Sequence, residues 1–193
     1  GFTAAGLACG IKSSGHPDLS LVATTDGNPV AAAAVFTQNK MTAAPVVTTN
    51  AHLTLTEGQA AAVVLNSGCA NACTGAQGLD HARRMAEETA GAVGCPREQV
   101  LVASTGVIGV ALKIDRVVTG IRAAAAAMTR DGGSAAARAI MTTDPFPKEC
   151  AVIVQTPRGA FSIGGMAKGS GMIEPNMATM LGFLTTDAQV SPA

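Results

Sequence analysis

The stretch AAAVVLNSGCANACTGAQGLDHARRMAEETAGAVGCPREQVLVAS, residues 60–104, changes its periodicity twice. It opens with a short apolar run, AAAVVLNSG (60–68), that ends in turn residues and suits a buried strand. From Ala76 to Val93 the spacing becomes helical. Leu79, Ala82, Met85, Ala86, Ala90 and Val93 form one stripe, with Arg83, Arg84, Glu87 and Glu88 mostly on the other side. Gly94 and Pro96 supply the stop that a helix C-terminus favours. VLVAS (100–104) then returns to an apolar strand pattern. Strand, amphipathic helix and strand in succession imply sheet and helix packed in layers.

The flanking sequence extends this pattern. DLSLVATT (18–25) places Leu19, Leu21 and Ala23 on one face, and DGNP (26–29) has turn chemistry. VAAAAVFTQN (30–39) is expected to return as the second strand of a hairpin. Residues 114–128 and 134–141 are Ala-rich helices, with Ser134 a candidate N-cap. CAVIVQT and AFSIGG flank the turn PRG (157–159) as a second hairpin. The expected architecture is a layered α/β (α+β) fold, residues 1–193 forming one domain with no repeat and no linker.

Composition narrows the chemistry. Hydrophobic residues are 48% and aromatic residues 3%, with no Trp or Tyr, so the core must be Ala, Val, Leu, Ile and Met packed closely. Thirteen basic residues balance 13 acidic ones without a charge block, which argues against nucleic acid and anionic membranes as partners. No apolar stretch reaches the ~20 residues of a membrane helix, and no signal-peptide pattern is visible. Cys9, Cys69, Cys73, Cys95 and Cys150 form an odd set without CxxC spacing, read as buried or half-buried thiols in a reducing cytoplasm. Neither they nor His16, His52 and His81 have metal-ligand or triad spacing, so no metal site is expected and the histidines read as surface or capping residues.

Three glycine-bearing segments are candidate sites. GGMAKGSGM (164–172) lacks the Gly-Lys-Ser/Thr ending of a phosphate loop, because Lys168 precedes the second glycine pair. In STGVIG (104–109) a strand ends at Ser104 and Thr105-Gly106 begin a turn, either an ordinary turn before a helix or a place where backbone donors meet a ligand. NSGCANACTG (66–75) is either turn scaffold or site wall. A further candidate is Ala178-Thr179. A threonine becomes a nucleophile without histidine when it begins a chain, since its α-amine, with a pKa of about 7.7–8.0, can accept the hydroxyl proton. Attack of the Thr179 hydroxyl on the Ala178 carbonyl would create that terminus. On pattern alone Thr179 is one threonine among many, and a buried strand threonine is the favoured reading.

Six ordered segments carry a resemblance over nearly the whole chain: GIKSSGHPDLSLVAT (10–24), AAAVFTQNKMTAAPV (32–46), VVLNSGCANACTG (63–75), LVASTGVIG (101–109), AIMTTDPFPKE (139–149) and GGMAKGSGMIEPNMATMLGFLTTDA (164–188). Together they resemble the ornithine acetyltransferase (glutamate N-acetyltransferase) family of arginine biosynthesis. The resemblance implies an autoprocessed N-terminal-threonine nucleophile enzyme whose sheets are sandwiched by helices. It implies self-cleavage between Ala178 and Thr179, Thr179 as nucleophile, Thr105 and Gly106 as the oxyanion-stabilising pair, and Thr142 and Lys168 as substrate-binding residues together with Thr179. It implies N-acetylornithine and glutamate as substrates, no cofactor, acetyl-CoA as an alternative donor in some members, and association with a β chain as an (αβ)2 heterotetramer. The implied precursor is about twice this length and its α chain ends at Ala178. A chain running to Ala193 therefore reads as an uncut or shortened piece, expected to be inactive alone. Glu174 departs from the small residue many relatives carry, and whether it tunes self-cleavage or faces water stays open. The rival readings are an autoprocessed aminopeptidase or amide hydrolase, a secondary-metabolite acyltransferase with the same motifs, and a non-catalytic scaffold.

Overall fold

A computed structural model of the chain describes residues 1–157, 159–172 and 180–191. The stretch that opens the sequence reading forms β5 (Ala62–Cys69), α2 (Gly75–Val93) and β6 (Val100–Val107), and β5 and β6 pair in parallel. Gly94 closes α2 in the left-handed conformation at φ 85°, donating its N–H to the Ala90 carbonyl. Before these elements come β1 (Phe2–Leu7), β2 (Leu19–Thr24), β3 (Val30–Ala31), α1 (Ala44–Leu55) and β4 (Gln59–Ala60). After them come α3 (Ile114–Ala127), α4 (Gly133–Ala139), β7 (Lys148–Thr156), β8 (Gly159–Lys168) and β9 (Leu181–Thr186).

The first sheet runs β1-β2-β5-β6, antiparallel except for its last pair. Because side chains alternate along a strand, its register stacks one apolar row across it: Ala5, Leu21, Val64 and Val102. A neighbouring row holds Ala23, Ala62 and Val100. Both rows face Ala82, Met85 and Ala86 of α2 and Val117, Ile121 and Ala124 of α3, all in one buried core. On the opposite face α4 lies close over β1, where a Cβ at Gly6 would strike the Ala135 carbonyl. Layers of helix thus cover both faces of this sheet, as the resemblance implies.

Several expectations need correction. Residues 30–39 do not return against β2; only Val30–Ala31 is strand, and it pairs with β4. β2 is an inner strand with β1 and β5 as neighbours, and the Ala-rich run offers too little side chain to displace either. Ser134 does not cap α4, whose N-cap is Gly132; the Ser134 hydroxyl donates to Glu149 instead. Cys73 and Cys150 are exposed, in contrast to buried Cys69 and half-buried Cys9 and Cys95. His52 and His81 are buried, and only His16 is exposed. The Nδ1 of His52 lies 2.7 Å from the Val100 carbonyl, tying α1 to β6.

The second sheet, β7-β8-β9, is a fully antiparallel meander. β7 and β8 match the expected second hairpin. Its register sets Leu181 opposite Lys168, so the chain at 181 is brought back beside the end of β8.

Candidate active site

Both parallel strands carry a glycine one residue before their end, Gly68 of β5 pairing with Gly106 of β6, so Thr105 and Gly106 lie within the strand and not in the turn expected after Ser104. Gly106 has φ +131°, and a Cβ there would fall onto Gly68 and the Cys69 nitrogen. Only glycine lets the two strand ends approach this closely. Beyond them the loops clasp each other, Ala70 donating to the Val107 carbonyl and Gly109 to the Ala72 carbonyl, both at 2.9 Å. Asn66, Asn71 and Thr74 spend their side chains on this scaffold. The Asn66 amide reaches the Cys69 carbonyl, the Asn71 amide reaches the Gly78 carbonyl, and the Thr74 hydroxyl donates to Asn71. Most of NSGCANACTG is therefore scaffold, with Gly68 set against Gly106.

Thr105 sits on the opposite side of the pleat from Gly106, paired with Ser67. It is buried, yet its hydroxyl has no hydrogen-bond partner among the described residues. Ser67 is satisfied, donating to the Ala139 carbonyl at 2.6 Å. That bond anchors the end of α4, three residues before Thr142, against the strand that carries Thr105. A buried hydroxyl without a partner is costly, and a site that binds developing charge is one place where such a donor is kept.

Thr142 and Lys168 meet directly: the Lys168 Nζ donates to the Thr142 hydroxyl at 2.6 Å. The hydroxyl accepts this bond and keeps its own proton for a ligand. Lys168 is the last residue of β8, and burial is the main cause that lowers its ammonium pKa, with Asp144 opposing and Lys148 adding to the fall. Asp144 organises the surroundings. One oxygen accepts from the Gly169 backbone at 2.8 Å and the Lys148 ammonium at 2.6 Å, the other from the Thr142 backbone at 3.1 Å. Burial pushes the Asp144 carboxyl up, but the Lys148 contact and the two backbone donors outweigh it, holding the group down at about 2.

A second lysine closes the arrangement. Lys12 donates to the carbonyls of Pro17 and Met141, both at 2.7 Å, and its stem lies over Gly68, where a Cβ would approach it to 3.0 Å. Its loop is held by Asp18, fully buried, whose carboxylate accepts from the backbones of Cys9, Ile11 and Lys12 at 2.6, 2.7 and 2.9 Å. Burial first, and then the hydrogen bond from the thiol to that carboxylate, push the Cys9 thiol up to about 12. Cys9 is therefore no nucleophile.

A chain of contacts thus runs from Gly106 through Gly68, Lys12 and Met141 to Thr142 and Lys168. Three of the residues singled out in the sequence, Gly106, Thr142 and Lys168, fall along it, and Thr105 directly precedes Gly106. Ala178, Thr179 and Glu174 lie outside the described residues. Sequence reasoning missed Lys12, Asp18, Asp144 and Lys148, although Lys12 and Asp18 stand in GIKSSGHPD and Asp144 and Lys148 in TTDPFPK. The usable signal was a buried-strand neighbour bearing a charge, as at Asp18 immediately before Leu19.

Among the described residues no cluster of His, Cys, Asp and Glu could hold a metal ion, and no helix is long and apolar enough to cross a membrane.

Comparison with known proteins agrees across sequence and structure. The ArgJ family model matches residues 3–193. The arginine biosynthesis bifunctional protein ArgJ of Symbiobacterium thermophilum is 53% identical over 193 residues, spanning 100% of this chain and 48% of that protein. Its counterpart from Streptomyces coelicolor is 48% identical over 190 residues, 98% of this chain and 48% of that one. This chain therefore spans about half the length of the curated relatives it matches. Among solved structures, ArgJ from Bacillus halodurans superposes with a TM-score of 0.83 at 41% identity, covering 92% of this chain and 91% of that one. Ornithine acetyltransferase from Mycobacterium tuberculosis, solved with ornithine, gives a TM-score of 0.83 at 44% identity, covering 92% and 93%. On these matches, and on a fold that mixes helices and sheets as theirs does, the chain belongs to the ArgJ family.

Proposed function

We propose that this chain is the first part of a precursor that cuts itself between Ala178 and Thr179 and then transfers acetyl groups from N-acetylornithine to glutamate. The observation that carries the reading is the buried, unpartnered Thr105 hydroxyl next to Gly106, on the strand end tied to the Thr142–Lys168 pair. Donors without partners suit a transient oxyanion, and removing one such donor typically costs about 3–4 kcal/mol of transition-state stabilisation.

The reaction follows from these roles. The Thr179 hydroxyl attacks the acetyl carbonyl carbon while its own α-amine takes the proton. Thr105 and Gly106 hold the oxyanion. Collapse breaks the amide C–N bond, ornithine leaves with the proton, and an acetyl ester stays on Thr179. The glutamate amine then attacks that ester, giving N-acetylglutamate and the free threonine. Lys168 supplies a cation for an amino-acid carboxylate, with Thr142 as a neighbouring donor. No metal or organic cofactor takes part in this scheme, and acetyl-CoA would serve only as an alternative donor to the same threonine.

Support for the break comes from chain lengths and from register. The solved relatives are covered at 91% and 93% of their chains, whereas the curated relatives are covered at about half. Pairing of Leu181 with Lys168 brings the sequence just beyond Thr179 to the site. The remainder of the precursor, as a β chain, would supply the further substrate contacts and assemble with this part as an (αβ)2 heterotetramer in the cytoplasm.

The test uses the full-length gene product and its Thr179→Ala variant. Wild type should split into two fragments on denaturing mass measurement and move acetyl to glutamate instead of releasing acetate; the variant should do neither. Cleavage and transfer surviving in Thr179→Ala would refute the assignment, and acetate release alone would turn the reading toward an amide hydrolase.

A further inference from the structure

Lys12 joins the two halves of the site without belonging to either. Its loop cannot drift, because the buried Asp18 carboxylate takes three of its backbone N–H groups. Its ammonium spans from the Pro17 carbonyl on its own loop to the carbonyl of Met141, which lies 129 residues beyond Lys12. Met141 directly precedes Thr142, whose hydroxyl accepts from Lys168 and whose N–H is held by Asp144. The methylene stem meanwhile passes over Gly68, at φ +101°, the partner of Gly106. Any slackening at Lys12 would therefore change the distance between the oxyanion-stabilising strand end and the carboxylate-binding pair.

We propose that Lys12 is a positioning residue for acetyl transfer, setting the Met141–Thr142 segment against the Gly68–Gly106 strand ends. The proposal rests on the acetyl-transfer reading of the site. A half-buried ammonium between two carbonyls is a short, charge-assisted strut, and two of its three N–H groups are spent on it. Burial is the main cause that lowers the Lys12 pKa; Asp18 and Asp144 oppose the fall and Lys168 adds to it. A misplacement of about 1 Å in such an arrangement is enough to cost about 10²-fold in rate.

Lys12→Met keeps the stem over Gly68 and removes the strut. In the full-length gene product the variant should still cut itself and fold. Its kcat for transfer from N-acetylornithine to glutamate should fall about 10- to 100-fold, with KM changed less than about threefold. Hydrogen exchange at the Thr142 amide should quicken at least about tenfold, a readout that needs no turnover. Unchanged exchange, or kcat within about twofold of wild type, overturns the proposal. So does a rise in KM at constant kcat, which would make Lys12 a ligand contact, and so does failure of the variant to fold, which would make it purely structural. The acetyl-transfer reading fails separately, if wild type run alongside moves no acetyl group.

Discussion

The two sheets of this chain are built to opposite rules. In β1-β2-β5-β6 the alternating apolar residues lie under helices, and Leu19, Leu21, Val64 and Val100 are inaccessible to solvent. In β7-β8-β9 the apolar residues are half-buried or exposed: Ile153 is 71% exposed and Leu184 80%. The one buried residue in those three strands is a cation, Lys168. The first sheet makes its own core. The second makes none among the described residues; it delivers Lys168 and Gly169 to the loop carrying Thr142. Exposed apolar strands of this kind are surfaces other polypeptide covers, which matches the proposal of a β chain from the same precursor.

The sharpest way to break this contrast is at the junction. Gly106→Ala would force a Cβ into the Gly68–Cys69 backbone at a φ that L-residues avoid. We expect about a 10³-fold loss of acetyl transfer in the full-length protein, read from steady-state kinetics, with the first sheet still folded by circular dichroism. Near-normal turnover would mean that the strand end is an ordinary turn.

A smaller effect compares the sheets directly. Leu21→Ala should lower stability by about 3–4 kcal/mol, because its cavity would be enclosed by α2 and α3. Leu184→Ala in residues 1–193 alone should change it by less than about 0.5 kcal/mol. Denaturant titration measures both. If the second substitution cost as much as the first, the second sheet would have a core of its own.

The smallest effect belongs to Asp144, which pins the second sheet to the loop carrying Thr142. Its folded-state pKa is depressed, so the unfolded chain binds its proton first as pH falls. Its contribution is complete above about pH 4 and is lost as pH drops through about 2. The size should be about 2 kcal/mol, and Asp144→Asn should flatten that acid limb in a stability–pH series. An unaltered limb would assign it to other carboxylates.

The same contrast explains what could be read from sequence. α2 was legible because Leu79, Ala82, Met85, Ala86 and Ala90 repeat at helical spacing and Gly94 stops it. The β7–β8 hairpin was legible from its central turn. α1 was not, since Thr48, Thr49, Thr54 and Asn50 blur any apolar stripe; Pro45 in its first turn was the available signal. β1 and β9 were missed because each gains its identity from partners distant in sequence, Phe2–Leu7 from β2 and Leu181–Thr186 from β8. At the site, Thr105, Gly106, Thr142 and Lys168 were singled out by motif, and the structure draws them to one end of the sheet. Lys12 and Asp144 escaped because much of their meaning lies in backbone carbonyls and amides, which no side-chain pattern encodes; Asp18 offered only its place beside a buried strand.

The central claim is that Thr179 carries the acetyl group between substrates. The most direct measurement is the denaturing mass of the full-length gene product after brief exposure to N-acetylornithine with glutamate withheld. The account predicts two fragments, with the one that begins at Thr179 heavier by a single acetyl group, lost again when glutamate is added. An unmodified fragment while transfer proceeds at full rate, or an acetyl group on any other residue, would contradict it.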